Sequence, residues 1–371
     1  MEIRIEKKPL AGILAHAAKV AVRKVNMTML ETVRLQALPT GHLVVSATDL
    51  EVGFTRSTAA KITKPGATCA NAKALADVVR AAPGDELVLA LKGTVLEVRS
   101  GKSTWKLNTV AADGFPELSR AGTEPAAVAL DCGKHDLRVA LRRVLYAVSD
   151  DDTRHNLCGV FLEAAGDRAV LVATDGHRMA KDELEAGSGA WIPAPMIVPK
   201  KGVEELLRSL DEHDGAGSLS AVGSSLVYSH EGARIEVRLI DGRFPAWRDV
   251  WREGESVLAL DRARFLGALR RMSILGDQGA AVKLQVEDGT VTLSRVDPDR
   301  GESLEEIEPV QEAPFTARIG FSPLYMREAC ESFDGEQVEV ILGDDHHPIV
   351  VRDPGSKRPN VHAAIIMPMR V

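Results

Sequence analysis

Val170-Leu171-Val172-Ala173-Thr174-Asp175-Gly176-His177 and Val44-Val45-Ser46-Ala47-Thr48-Asp49-Leu50-Glu51 are two versions of one phrase, 126 residues apart. Each begins as an apolar run of strand-forming residues and breaks at Thr-Asp, whose side chains bond nearby main-chain groups and favour a turn. A third version, Val291-Thr292-Leu293-Ser294-Arg295-Val296-Asp297-Pro298, is diverged. A phrase recurring at so long a period points to a structural unit written more than once.

Other markers share the period. Upstream lie amphipathic segments 10–19, 137–146 and 265–274, with starts 127 and 128 residues apart. Their apolar residues fall at helical spacing. Downstream, 71–80, 200–208 and 322–330 predict a second helix in each unit, with Ser322 before Pro323 reading as N-cap and first helical position. Each unit closes on a bulky residue before proline: Phe115-Pro116, Phe244-Pro245 and Met367-Pro368. Short alternating runs such as 86–91, 95–99, 233–239 and 337–342 read as strands, separated by turn signals such as Pro83-Gly84-Asp85, Asp241-Gly242 and Asp288-Gly289. The fold class is α+β: three repeated domains, each with two helices on antiparallel sheet. Periodicity lapses near 121–125 and 253–256, which sets domains at 1–123, 124–253 and 254–371. The acidic stretch 298–314 contains Leu304 and Ile307 and reads as a strand plus an exposed loop.

Composition narrows the function. With 45% hydrophobic and 27% charged residues, 371 residues supply several globular cores. No apolar run reaches 18 residues and the N-terminus is charged, so neither a membrane span nor a signal peptide is expected. Cys69, Cys132, Cys158 and Cys330 are scattered without a CxxC pair, which fits reduced thiols in the cytoplasm. His346-His347 lacks a third neighbouring ligand and reads as a polar loop; no metal or cofactor is expected. No nucleophile, P-loop or zinc-protease signature appears, so the chain reads as a non-enzyme with no catalytic residues.

Charge is segregated. The first helices and their flanks carry Lys8, Lys19, Arg23 and Lys24; Lys134, Arg138, Arg142 and Arg143; and Arg262, Arg264, Arg270 and Arg271, against Asp136, Asp150 and Asp261. These regions sum to about +9 in a chain of net charge −7. Three equivalent basic helices suit sequence-independent attraction to phosphates. Aromatics at 4% disfavour the base stacking of single-strand binders.

Ala47-Thr48-Asp49-Leu50-Glu51, Ala173-Thr174-Asp175-Gly176-His177-Arg178-Met179, Val198-Pro199-Lys200-Lys201-Gly202, Asp241-Gly242-Arg243-Phe244-Pro245 and Met367-Pro368-Met369-Arg370-Val371, in this order on a threefold repeat, resemble the bacterial DNA polymerase III beta subunit family over the whole chain. The resemblance implies a DNA sliding clamp. Two chains would join head to tail into a six-domain ring around duplex DNA, with helices lining the hole. Partners would be double-stranded DNA, DNA polymerase III and other polymerases, and a clamp loader. It implies phosphate contacts at Lys24, Lys73, Arg80, Lys200, Lys201 and Arg208. A partner-peptide cleft would use Leu157, Thr174, Gly176, His177, Arg178, Met179, Pro245, Val250, Ile365, Ile366, Met367, Pro368 and Met369, with Arg178 fixing polar atoms of the peptide. Trp105 and Leu107 resemble one side of the family's apolar dimer seam, Ile274 and Leu275 the other. The chain departs from the family's habits at Met29-Leu30, at His155-Asn156 and at Asp249. An accessory clamp or a non-ring DNA- or partner-binding scaffold is the alternative.

Overall fold

The turn that punctuates the repeat is built alike in its first two copies. In the computed structural model, Thr48 Oγ1 donates to the Val52 carbonyl (2.9 Å) and accepts from the Leu50 amide (3.0 Å). Asp49 Oδ1 accepts from the amides of Glu51 (2.9 Å) and Val52 (2.6 Å). Thr174 and Asp175 make the same four bonds with Arg178, Gly176 and His177. The residue after Asp takes a left-handed backbone in both copies, with φ +88° at Gly176 and +77° at Leu50. Glycine adopts this without steric cost; leucine does not.

The structure describes residues 1–21, 27–116, 134–185, 194–212, 217–230, 232–252, 254–274, 280–343, 347–355 and 361–370. Lys24, Cys132, Leu275, His346 and the expected 121–125 boundary lie outside them. Among the described residues are seven α-helices: α1 (Lys7–Val20), α2 (Ala72–Ala81), α3 (Lys134–Leu145), α4 (Lys200–Glu212), the single turn α5 (Trp247–Val250), α6 (Arg262–Met272) and α7 (Pro323–Glu331). The first expected helix of each repeat is α1, α3 or α6, and the second is α2, α4 or α7. Side chains of Asn71, Asp261 and Ser322 cap α2, α6 and α7 by accepting an amide three residues on. One stripe of each helix is buried, as with Leu10, Ile13, Leu14, Ala17 and Val20 on α1. None of the described helices is long and apolar enough to cross a membrane.

A single order of elements occurs three times. Three strands follow the first helix: Thr32–Leu38, His42–Thr48 and Val52–Ala59; Gly159–Ala165, Arg168–Thr174 and Arg178–Glu185; or Val282–Glu287, Thr290–Asp297 and Gly301–Ile307. One strand leads into the second helix: Gly66–Asn71, Met196–Pro199 or Ala317–Phe321. The last strand of each repeat is Ser103–Val110, Ala233–Arg238 or Ala363–Ile366. Each runs on to touch the lead-in strand of its own repeat, at Val110 opposite Cys69, Ile240 opposite Ile197 and Met369 opposite Gly320.

The described residues nonetheless gather into two compact units. One draws on Met1–Lys134 and Glu204–Leu239; the other on His135–Ser188, Ala194–Val203 and Ile240–Val371. Strand pairing is the reason. Ala233–Arg238 of the second repeat pairs antiparallel with Val52–Ala59 of the first, Ile235 opposite Phe54, within a twelve-stranded sheet. Ala363–Ile366 of the third repeat pairs with Arg178–Glu185 of the second, Ile366 opposite Arg178, within an eight-stranded sheet. The remaining four strands form a sheet in the order Gly301–Ile307, Thr290–Asp297, Val282–Glu287, Ala317–Phe321. Alternation in sequence reveals a strand's faces but not which edge it will meet, so the repeats were legible and their lateral fusion was not.

Leu50 is 51% exposed, so it holds its left-handed backbone with little burial in return. Leu50→Gly is expected to raise stability by about 0.5 kcal/mol, the strain relieved less glycine's added chain entropy. Urea denaturation measures this, and a loss of stability would show that the leucine side chain makes contacts worth more than the strain.

Candidate functional site

Two neighbouring cavities open in the second unit, where elements of the second and third repeats meet. The smaller, about 130 Å³, is lined by Leu157, Thr174, Gly176, Arg178, Met179, Pro245, Trp247, Val250, Ile365 and Met367. The larger, about 400 Å³, is lined by His177, Ser322, Leu324, Tyr325, Met367, Pro368 and Met369. Met367 borders both. The first is almost wholly apolar; the second adds a hydroxyl, a phenol and an imidazole.

Each wall has a local cause. The Thr174-Asp175 turn presents Gly176 and His177, and its left-handed glycine leaves room for Arg154, whose Nη1 lies 2.9 Å from where a Cβ would stand. Pro245 and α5 supply Trp247 and Val250. Arg248 packs its guanidinium 4.3 Å from the Trp247 ring centroid and pairs with Glu163 at 2.6 Å. The Met367 amide donates to the His177 carbonyl (2.9 Å), and the Met369 amide to that of Gly320 (2.8 Å), which pins the C-terminal run along the cleft. Of the thirteen residues expected here, only Ile366 lines neither cavity. It is fully buried in the third repeat's core, because successive strand residues point to opposite faces and Ile365 takes the cleft side. Sequence reading missed Trp247, Ser322, Leu324 and Tyr325. Trp247 stands two residues past the Phe244-Pro245 marker, and Ser322 was read only as a cap.

Arg178 is half the story of the wall between the cavities. Its Nε donates to Asp175 Oδ2 (3.0 Å) and its Nη1 pairs with Glu328 of α7. Its Cζ lies 4.4 Å from the Tyr325 ring centroid and 5.3 Å from that of Tyr146. Burial works against its charge, but Glu328 and Asp175 outweigh that and raise its pKa. Burial also pushes the Tyr146 phenol up.

The expected phosphate contacts are less free than the sequence implied. Lys73 is exposed on α2. Arg80 is exposed but pairs with Asp77. Lys200 opens α4 and pairs with Asp150 at 2.5 Å. Lys201 follows it, half-buried. Arg208 is committed to Glu205, whose Oε2 also takes His16 Nε2 of α1 at 3.0 Å in a buried contact. Burial alone would raise the Glu205 pKa, yet the bonds from His16 and Arg208 prevail and hold it lowered. Other helix cations are paired too: Arg143 with Asp182 and Asp334, Arg270 with Glu331, Arg271 with Glu305. Acids both local, as Asp77 and Glu205, and distant in sequence, as Asp150, Glu305 and Glu331, thus offset much of the positive charge counted along the helices.

Of the expected seam residues, Trp105 and Leu107 are half-buried on Ser103–Val110, opposite Val98 and Leu96. Ile274 follows α6 and is 74% exposed.

Comparison with known proteins decides the family. Residues 1–119, 129–246 and 250–370 match, in order, the N-terminal, central and C-terminal domains described for the DNA polymerase III beta subunit. The chain belongs to the DNA polymerase III beta subunit family. Its three repeats are the three clamp domains. The chain is 30% identical to the beta sliding clamp of Caulobacter vibrioides and 29% identical to that of Pseudomonas aeruginosa, with all of each chain covered. Crystal structures of the DNA polymerase sliding clamps from Caulobacter crescentus and Pseudomonas aeruginosa, the latter with ligand, superpose over the full length of both chains. The TM-score is 0.92 in each case, at 29% and 27% identity.

Arg208→Ala leaves the buried Glu205 carboxylate without its main counter-ion and is expected to cost about 1–3 kcal/mol of stability, against less than about 0.5 for Lys73→Ala. Because the Glu205 pKa is lowered on folding, this contribution is present above the ordinary glutamate pKa and is lost as pH falls through the folded value. Denaturation of both variants at neutral and acidic pH checks it; equal costs would mean that Arg208 is an ordinary surface cation.

Proposed function

We propose that this chain is a DNA sliding clamp whose two copies close head to tail into a six-domain ring around duplex DNA, and whose cleft tethers polymerases by a short peptide. The observation that carries the ring is an unfilled pattern of edges. Val52–Ala59 and Arg178–Glu185 each receive the last strand of the following repeat. Among the described residues Gly301–Ile307, their counterpart in the third repeat, pairs only with Thr290–Asp297. Ser103–Val110, the last strand of the first repeat, pairs along Val95–Ser100 and meets no strand of another repeat among the described residues. Such open edges invite association, and these two have complementary roles. Glu302, Glu305 and Glu306 mark one, Lys102 and Lys106 the other. Two copies related by a twofold axis satisfy both edges of both chains and leave none over. Trp105 and Leu107 lie on one of these strands, and Ile274, exposed just after α6, would complete the apolar part of the seam together with Leu275.

Duplex DNA would then meet Lys73 and Arg80 on α2 and Lys200, Lys201 and Arg208 on α4, together with Lys24. Phosphate contact without base readout allows sliding. The smaller cavity suits an aliphatic anchor. The larger, with Ser322, His177 and Tyr325, suits a hydrogen-bonding side chain. A clamp loader would open the ring, and the protein would act in the cytoplasm without catalysis or cofactor.

Loaded on closed circular DNA, the protein is expected to survive a wash at high salt and to leave once the circle is cut; release from both forms at the same salt would mean that phosphate attraction alone holds it. Met367→Ala, which trims the wall shared by both cavities, should weaken peptide binding about tenfold. Light scattering should still give twice the 39.9 kDa chain mass. Unchanged peptide affinity would displace the cleft, and a monomer would refute the seam.

A further inference from the structure

Arg178 lines the smaller cavity but directs its interactions at a wall of the larger one. Its side chain is 11% exposed, with Asp175 and Glu328 taking its donors and the rings of Tyr146 and Tyr325 packed against the guanidinium. Tyr325 and Glu328 are one turn apart on α7, so a single guanidinium holds both the ring and the helix that carries it. Asp175 is itself fixed by the amides of His177 and Arg178 at 2.9 and 3.0 Å. Tyr325 is also accompanied by His177, ring centroids 6.5 Å apart and planes within 19°. A rigid turn, a carboxylate, a guanidinium and a phenol ring therefore form one chain of constraints that ends at the larger cavity.

Resting on the cleft reading above, we propose that Arg178 is the positioning residue for Tyr325, and so governs the grip on the hydrogen-bonding side chain in the larger cavity, rather than a ligand to the bound peptide. Lysine cannot replace it. A point charge keeps an ion pair with Asp175 or Glu328 but lacks the planar fork that serves both while stacking on a ring.

The two roles separate because Arg178 and Tyr325 line different cavities. The test uses the full chain and two fluorescein-labelled peptides, one with a leucine anchor and a glutamine for the larger cavity, the other with that glutamine replaced by alanine. Arg178→Lys is expected to weaken the glutamine peptide about tenfold and the alanine peptide less than about twofold. Equal losses would show that Arg178 contacts the peptide or merely supports the whole cleft, and no loss would show that Tyr325 does not need it; either overturns the proposal. In a Tyr325→Leu background, Arg178→Lys should cost nothing further, and an additive loss overturns it as well. Should Arg178→Lys fail to fold, Glu328→Gln cuts the same tether from α7 and is held to the same peptide-selective outcome. If the wild-type chain bound neither peptide, or bound both undiminished after Met367→Ala, the cleft reading itself would fall, a result distinct from any of these.

Discussion

The main-chain ladder between the last strand of one repeat and an edge strand of its neighbour does two jobs. It satisfies backbone donors and acceptors that an isolated domain would leave at an open edge. It also fixes register, since a slip of one residue would turn every side chain of the strand to the opposite face. The cleft depends on this. Ile365 reaches the smaller cavity, and Met367 reaches both, because Ala363–Ile366 lies against Arg178–Glu185 in one register and the Met367 amide then finds the His177 carbonyl. The proposed docking site is thus a by-product of how the chain joins to itself.

Electrostatics follow a similar economy. Along the sequence the helices carry a clear excess of cations, yet in three dimensions Arg80, Lys200, Arg208, Arg270 and Arg271 each have a carboxylate at hand. For the proposed ring, which would hold DNA by topology, this would be an advantage. Cations already engaged exchange a carboxylate for a phosphate at small net gain, and weak, interchangeable contacts leave the duplex free to move. The buried His16–Glu205–Arg208 set is different in kind, since Glu205 is nearly inaccessible and links α1 of the first repeat to α4 of the second.

Much of this was written in the sequence. The Ala-Thr-Asp phrase gave the strand, the turn and the period, and both copies fold into identical hydrogen-bonded turns. Helical spacing placed all six long helices, and Ser322-Pro323 marked a true cap. Most of the residues lining the cleft could be named through the family resemblance, which two short motifs, 173–179 and 367–371, largely carry. What stayed hidden depends on partners far away in the chain. Nothing local to 233–238 announces that it will pair with 52–59. Ile366 looked equivalent to Ile365 until the pleat sent it into the core. Tyr325 and Trp247 join the cleft only through the packing of α7 and α5, and Glu328 reaches Arg178 from 150 residues away, whereas Asp175 and the Glu205 that engages Arg208 are local i,i+3 partners.

The cross-repeat ladder also sets a timetable for biogenesis. Val52–Ala59 emerges from the ribosome about 175 residues before Ala233–Arg238, the strand that will cover it. At ordinary elongation rates the nascent first repeat waits roughly 10 to 35 s with that flank bare. Arg178–Glu185 waits at least as long for Ala363–Ile366. Pairings so distant in sequence are slow to form, and an uncovered strand recruits whatever strand is near. On a polysome, the nearest is the same segment of the next chain.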